Sequence, residues 1–295
     1  MDTIISVHNL TKKYGSKTVV NAMNLTVTSG TMVGLLGPNG SGKTTTIRLL
    51  MGLLFPTSGQ SLVLGMRCDT QGHLLRSQVG YLPGDVHLYG HLTGHATLEF
   101  LSHVRGKRCT DEYSRLASRF DLDLKLPVRK YSTGMRQKLG LIQALMHRPN
   151  LLILDEPTSA LDPLVRTQVV DELRQYVAQG GTVLFSSHSL HEVEELCEEV
   201  IVLRNGKTVE QQSIAALKSK ALRHLTLVFQ PDVDVDLIKV PAGLSIIDKQ
   251  ANSWVCTWDG ESRPLLSWLA TLELSEVYIV RPNLSDLFLA YYDSR

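Results

Sequence analysis

The run Gly37-Pro38-Asn39-Gly40-Ser41-Gly42-Lys43-Thr44 constrains this chain more than any other segment. It matches the phosphate-cradling pattern G-x-x-x-x-G-K-[ST]. Met32-Val33-Gly34-Leu35-Leu36 before it reads as a short buried strand, and Thr45 to Met51 after it as a helix. Strand, glycine loop and helix is the context the pattern requires. Glycines let the backbone curl so that successive N–H groups converge on phosphate oxygens, and the helix N-terminus adds its partial positive charge. Lys43 can reach the β- and γ-phosphates of a nucleotide, and the Thr44 hydroxyl can ligand Mg2+. Gly37 to Thr44, with Thr45, form the expected phosphate site.

Leu151-Leu152-Ile153-Leu154-Asp155-Glu156 is an apolar run ending in two acids. It reads as a buried parallel strand that delivers carboxylates at its C-terminal end, where such sheets bind ligands. Asp155 is the expected Mg2+ ligand, and Glu156 the general base that polarises the attacking water. Upstream, Tyr131-Ser132-Thr133-Gly134-Met135-Arg136-Gln137 reads as a polar turn opening a helix to about Met146. Here the chain resembles the ATP-binding-cassette (ABC) ATPases, whose signature loop is L-S-G-G-Q. Ser132 and Gly134 match that loop; Tyr131, Thr133 and Met135 depart from it. A Ser-capped helix alone would explain the segment equally well. Its position shortly before the Asp-Glu strand carries the resemblance.

The resemblance implies further roles. Ser132 and Gly134 would meet the γ-phosphate bound by a second cassette. Ser159-Ala160-Leu161-Asp162 is similar to the loop that crosses the cassette dimer, and also reads as the cap and first turn of the next helix. His188, after the apolar strand Thr182-Val183-Leu184-Phe185, resembles the switch histidine that contacts the γ-phosphate. His191 has no third ligand with which to form a metal site. Tyr14 resembles the aromatic residue that stacks on adenine, or is a half-buried Tyr on a sheet. One departure stands out. Where the family usually has a Gln that ligands Mg2+, after Val79-Gly80-Tyr81-Leu82-Pro83, this chain has Gly84 followed by Asp85. Asp85 or a water is expected to fill that role.

The 295 residues are 43% hydrophobic and 20% charged, enough for one large domain and a small one. A net charge of +1 gives no strong field for nucleic acid, and no nucleic-acid partner is expected. No run of eighteen apolar residues and no signal-peptide pattern is visible. The scattered Cys68, Cys109, Cys197 and Cys256 suit reduced thiols. The expected fold is α/β, a P-loop ABC cassette over residues 1–218. It comprises a parallel-sheet core, an antiparallel β subdomain near the N-terminus and a helical subdomain over about 90–149. Helices are expected over 169–178 and 190–199, the acidic run in the second being a solvated face. A strand over 200–203 leads into a hairpin turn at Asn205-Gly206. Beyond a boundary near Ser219, residues 219–295 read as a small α+β accessory domain. Trp254 and Trp258 belong to its core, and no small-molecule site is expected there. It contains a helix over 264–272 and ends in a capped helix over 282–289.

The resemblance implies an ATP- and Mg2+-dependent ATPase that powers a membrane transporter, with Lys43, Glu156 and His188 as its catalytic residues. Two cassettes, identical or different, would close head-to-tail on two ATP molecules. An integral-membrane permease would be a separate chain, and this chain would sit in the cytoplasm on the inner face of the cell membrane. The ending Pro282-Asn283-Leu284-Ser285-Asp286-Leu287-Phe288 resembles the P-x-L-x-D-x-F tail common in cassettes that work with separate, export-type permeases; this tail pattern and the missing Gln favour export. The alternatives are a soluble ABC ATPase acting on ribosomes or DNA, and a non-hydrolytic regulatory cassette, against which the intact Glu156 and His188 argue.

Overall fold

The computed structural model describes residues 2–220 and 222–280. The chain divides into two compact units, Met1–Ile214 and Ala215–Arg295.

The first unit opens with β1 (Thr3–Tyr14) and β2 (Lys17–Thr28), then β3 (Met32–Leu36), α1 (Lys43–Leu50), β4 (Ser58–Val63), β5 (Met66–Arg67), α2 (Cys68–Gln78) and β6 (Val79–Leu82). There follow α3 (Gly94–Val104), α4 (Thr110–Arg119), α5 (Thr133–Leu145), β7 (Leu151–Asp155), α6 (Pro163–Ala178), β8 (Thr182–Ser187), α7 (Leu190–Leu196), β9 (Glu199–Arg204) and β10 (Lys207–Ser213), and α8 (Ile214–Lys220) begins at the last residue of this unit and runs into the second. The second unit contains β11 (Arg223–Phe229), β12 (Leu244–Lys249), β13 (Ser253–Trp258), α9 (Ser262–Leu269) and β14 (Leu274–Val280).

Two sheets organise the first unit. One is antiparallel, in the order β2-β1-β4-β5; the other runs β10-β9-β3-β8-β7-β6. In the latter, β9, β3, β8, β7 and β6 are mutually parallel and β10 is the antiparallel edge. All five residues of β3 and all five of β7 are buried, as strands covered on both faces require. Ile5, Val7, Leu25 and Val27 of the antiparallel sheet meet Val33, Leu35 and Ile201 of the parallel one in a single core with Ile47, Leu49 and Leu50 of α1. Each such side chain contributes about 1.5–3 kcal/mol on burial. This core fixes α1 at the C-terminal end of β3. Asn205 and Gly206, both at positive φ, close the β9–β10 hairpin.

Some expected bounds shift. Helix α6 starts at Pro163, because Asp162 accepts from Val165 N at 3.0 Å and proline takes the first helical turn. Helix α7 stops at Leu196 instead of reaching Glu199. Cys197 is extended, and Glu199 pairs with Val33 as the first residue of β9. The expected boundary at Ser219 falls inside α8. Helix α2, which the sequence reading did not place, carries a non-helical residue at Gln71.

The second unit is a four-stranded antiparallel sheet in the order β12-β13-β11-β14. Leu225, Leu227, Phe229, Trp254 and Trp258 form its core with Leu265 and Leu269 of α9. Phe229 and Trp254 meet edge-to-face, ring centroids 5.0 Å apart. Helix α9 begins two residues before the expected Pro264. The terminal helix expected over 282–289 lies outside the described residues.

Candidate functional site

Three neighbouring parallel strands, β3, β8 and β7, end at one edge of the sheet, and each delivers a functional segment there. The segments are the glycine loop after β3, His188 after β8, and Asp155-Glu156 at the end of β7. Adjacency of the C-terminal ends brings together residues that lie more than a hundred positions apart in sequence.

Glycine is required in the loop by space as well as by torsion. A Cβ on Gly37 would lie 2.6 Å from Leu203 O, and one on Gly42 (φ 105°) 2.9 Å from Val19 O. The loop closes over Lys43, which is buried and donates from Nζ to Gly37 O at 2.7 Å and Pro38 O at 3.3 Å. Nζ also stands 3.6 Å from Glu156 Oε1. Pro38, Asn39, Gly40, Gly42, Lys43, Thr44 and Thr45 line a cavity of about 220 Å³ together with Val19 and Glu156. A cleft of about 410 Å³ elsewhere, lined by Glu112, Arg115, Arg148 and Glu172, is larger. Its charges pair with one another and leave none aimed at a ligand.

Asp155 is fully buried, and its Oδ1 accepts from Ser186 Oγ at 2.5 Å. Ser186 Oγ in turn accepts from Glu156 N at 3.0 Å, so one hydroxyl orients both acids. Glu156 takes φ 51°, a left-handed conformation uncommon outside glycine. This turns its carboxylate away from the strand direction and toward Lys43 and His188. His188 Nδ1 lies 2.9 Å from Glu156 Oε2. A non-glycine residue held at positive φ beside charged partners marks a position that its surroundings over-determine.

Asp155 Oδ2 is buried and finds no hydrogen-bond partner among the described residues; Ser41 Oγ is in the same condition. An acceptor-only carboxylate oxygen in that situation fits a cation ligand. Gly84 presses against it: a Cβ at 84 would stand 3.0 Å from Oδ2. Asp85, the expected substitute ligand, is not brought to the glycine loop. Its carboxylate is 82% exposed, 3.5 Å from His87 Nδ1, and it lines a separate cavity with Arg129 and Arg136. Asp85 is therefore dropped as a metal ligand.

Ser132 caps α5, its Oγ accepting from Met135 N at 3.2 Å. A Cβ on Gly134 would lie 2.8 Å from Ala160 O, so the start of α5 packs on the Ser159–Asp162 loop. Neither residue lines the glycine-loop cavity of its own chain. Nor does Tyr14, which stands 49% exposed at the end of β1 with Lys12 Nζ 5.1 Å from its ring centroid.

Sequence reasoning missed three positions. Gln137 is buried on α5 and donates from Nε2 to Glu156 O and Pro157 O, both at 3.1 Å. Ser186 orients the two acids, and Val19 walls the cavity. The signal available for Gln137 was a polar residue one turn beyond Gly134 on a helix whose following face is apolar.

A family model described as ABC transporter matches residues 20–159. The uncharacterized ABC transporter ATP-binding protein YxlF of Bacillus subtilis (strain 168) is 38% identical over 289 residues, covering 96% of this chain and 90% of that protein. The bacitracin transport ATP-binding protein BcrA of Enterococcus faecalis is 37% identical over 223 residues, 75% of this chain and 72% of that one. A solved ATP-binding subunit of an ABC transporter superposes with a TM-score of 0.68 at 31% identity, covering 73% of this chain and 92% of that one. The similarity to YxlF spans both compact units.

Proposed function

Since the chain belongs to the ABC transporter family of ATP-hydrolysing cassettes, we propose that it is the motor subunit of a membrane exporter, working as one half of a cassette dimer. The convergence of Lys43, Glu156 and His188 at the glycine loop carries this reading. The loop N–H groups and Lys43 bind and orient the phosphates of ATP. Glu156 accepts a proton from the attacking water. His188, held on Glu156 Oε2, keeps that carboxylate aimed. Thr44 and Asp155 would hold Mg2+, which when bound supplies charge neutralisation at the phosphates. Rate acceleration comes mainly from positioning and charge stabilisation.

Dimerisation is supported by what a single chain leaves apart. Ser132 and Gly134 form a helix N-terminus that lies away from their own glycine loop but on the Ser159–Asp162 loop. A second chain, placed head-to-tail, would bring such a terminus to the γ-phosphate. Among the described residues no helix is long and apolar enough to cross a membrane, so a permease chain is the proposed partner, with this subunit on its cytoplasmic face. Export rests on the tail pattern and on Gly84. Tyr14 is proposed to stack on adenine.

Steady-state Mg-ATP turnover of wild-type protein and Glu156→Gln tests the reading. Turnover should fall at least a hundredfold in the variant while ATP still binds and the protein sizes as a dimer in Mg-ATP. Wild-type turnover by the variant would overturn it.

A further inference from the structure

Helix α7 carries Glu192, Glu194 and Glu195, and an acidic run of this kind is expected on a solvated face. Glu192 breaks that pattern: it is only 4% exposed. A buried carboxylate persists where partners satisfy it, and here its two oxygens are divided between two strand ends. Oε2 accepts from Ser187 Oγ at 2.6 Å. Oε1 accepts from Thr158 Oγ1, and Arg166 Nη2 lies 4.0 Å from the same oxygen.

Each partner adjoins a residue of the hydrolytic site. Ser187 directly precedes His188, and Thr158 follows Glu156 by two positions. Arg166 lies in the first turns of α6, after the Ser159–Asp162 loop, and its N–H donates to Asp162 O. One side chain therefore spans the ends of β7 and β8 at the level where Glu156 and His188 meet. On the other side of the same turn, Gln137 holds the carbonyls of Glu156 and Pro157. We propose that Glu192 is a positioning residue for ATP hydrolysis: by holding Thr158 and Ser187 on one carboxylate it fixes the separation of Glu156 from His188. The inference rests on Glu156 and His188 acting as described above.

The chemistry of the residue suits the task. A carboxylate is acceptor-only, so both hydroxyl protons point at it and the hydroxyl lone pairs face outward. Ser187 Oγ uses one of these to accept from Ser189 N at 2.9 Å, fixing the chain just past His188. Hydrogen bonds to an ionised acceptor are short and strong. Aspartate keeps the charge but is one methylene shorter and cannot span both hydroxyls. Glutamine keeps the length; its oxygen accepts from one hydroxyl and its amide donates to the other. Misplacing reacting groups by about 1 Å costs on the order of a hundredfold in rate.

The test compares steady-state Mg-ATP hydrolysis by the full-length chain in wild type, Glu192→Asp, Glu192→Gln, Glu195→Ala and Glu156→Gln, each first shown to unfold cooperatively. Glu192→Asp should lower kcat at least tenfold with KM for ATP within twofold. Glu192→Gln should stay within threefold of wild type, and Glu195→Ala, on an exposed side chain near Arg174, should be unchanged. A Glu192→Asp kcat within twofold of wild type overturns the proposal. So does a loss confined to KM, or a loss in Glu192→Gln as large as in Glu192→Asp. Should Glu192→Asp fail to fold, Thr158→Val takes its place, removing one of the two contacts. It should lose at least threefold in kcat at constant KM, and full kcat in that variant overturns the proposal. Full turnover by Glu156→Gln would mean that the underlying site assignment has failed. Loss in Glu156→Gln without loss in Glu192→Asp would mean that the positioning role alone has failed.

Discussion

Glu156 and Gly84 show how single residues set this site. Glu156 needs a left-handed backbone to face Lys43 and His188, and Ser186 and Gln137 hold it there from two sides. Gly84 needs to lack a side chain, because a Cβ would crowd the Asp155 oxygen that fits a cation. Gly84→Ala is therefore expected to raise the Mg2+ concentration for half-maximal ATPase activity at least threefold while leaving the thermal midpoint nearly unchanged. A Mg2+ titration of hydrolysis checks this. At this scale the glycine loop was legible because its spacing is local, all within one segment. Gln137, Ser186 and Glu192 were not, because each acts across a fold contact 5 to 34 residues away in sequence. Asp85 misled for the opposite reason: proximity in sequence to the missing Gln put it beside the site, but its carboxylate is exposed and lines a separate cavity.

At the scale of elements, a charge cluster ties α4 to α6. Arg115 donates to Glu112 on its own helix and to Glu172 on α6, Arg119 lies 3.0 Å from Glu172, and Arg148 reaches Glu112. The cost of burying the Glu112 carboxyl is outweighed by Arg115 and Arg148, which hold it below the usual carboxylate range. Glu172 is nearly buried and Arg115 partly exposed. Removing the acid leaves two guanidinium groups facing each other, whereas solvent screens part of the pair's own attraction. Glu172→Ala should destabilise the chain by roughly 1–3 kcal/mol, and added salt should narrow the difference from wild type, as urea unfolding would measure. Ser132→Ala should cost about 1 kcal/mol through loss of the α5 cap. Helices α3 and α4 were legible from their apolar spacing, whereas α2 and α8 were not. The end of α7 was not, because pairing of Glu199 with β3 overrides helical pattern in Cys197 to Glu199.

At the scale of the whole molecule, acid sensitivity has an identifiable contributor. His147 is buried; burial first, then the charges of Arg105 and Lys107, push its pKa down to about 4. An unfolded His titrates near 6.5. Between these values the unfolded chain holds a proton that the folded chain does not, so stability falls as pH drops from 6.5 toward 4. The loss should reach roughly 1–3 kcal/mol at the lower end. Urea unfolding at pH 7 and pH 5 should show a smaller difference in His147→Gln than in wild type. In the first unit the buried runs of the parallel sheet and the alternation of β1 and β2 were legible, whereas β4 and β5 of the antiparallel sheet were not. The strands of the second unit were legible as short alternating segments, with Trp254 and Trp258 in its core as expected.

We propose that this ATPase drives a separate membrane chain. Tagged Glu156→Gln protein, purified in Mg-ATP from detergent-solubilised cells, tests that claim most directly. A polytopic membrane protein recovered at near-equal amount is the predicted result. Recovery of ribosomes, DNA or only soluble proteins, with no membrane chain, would contradict it.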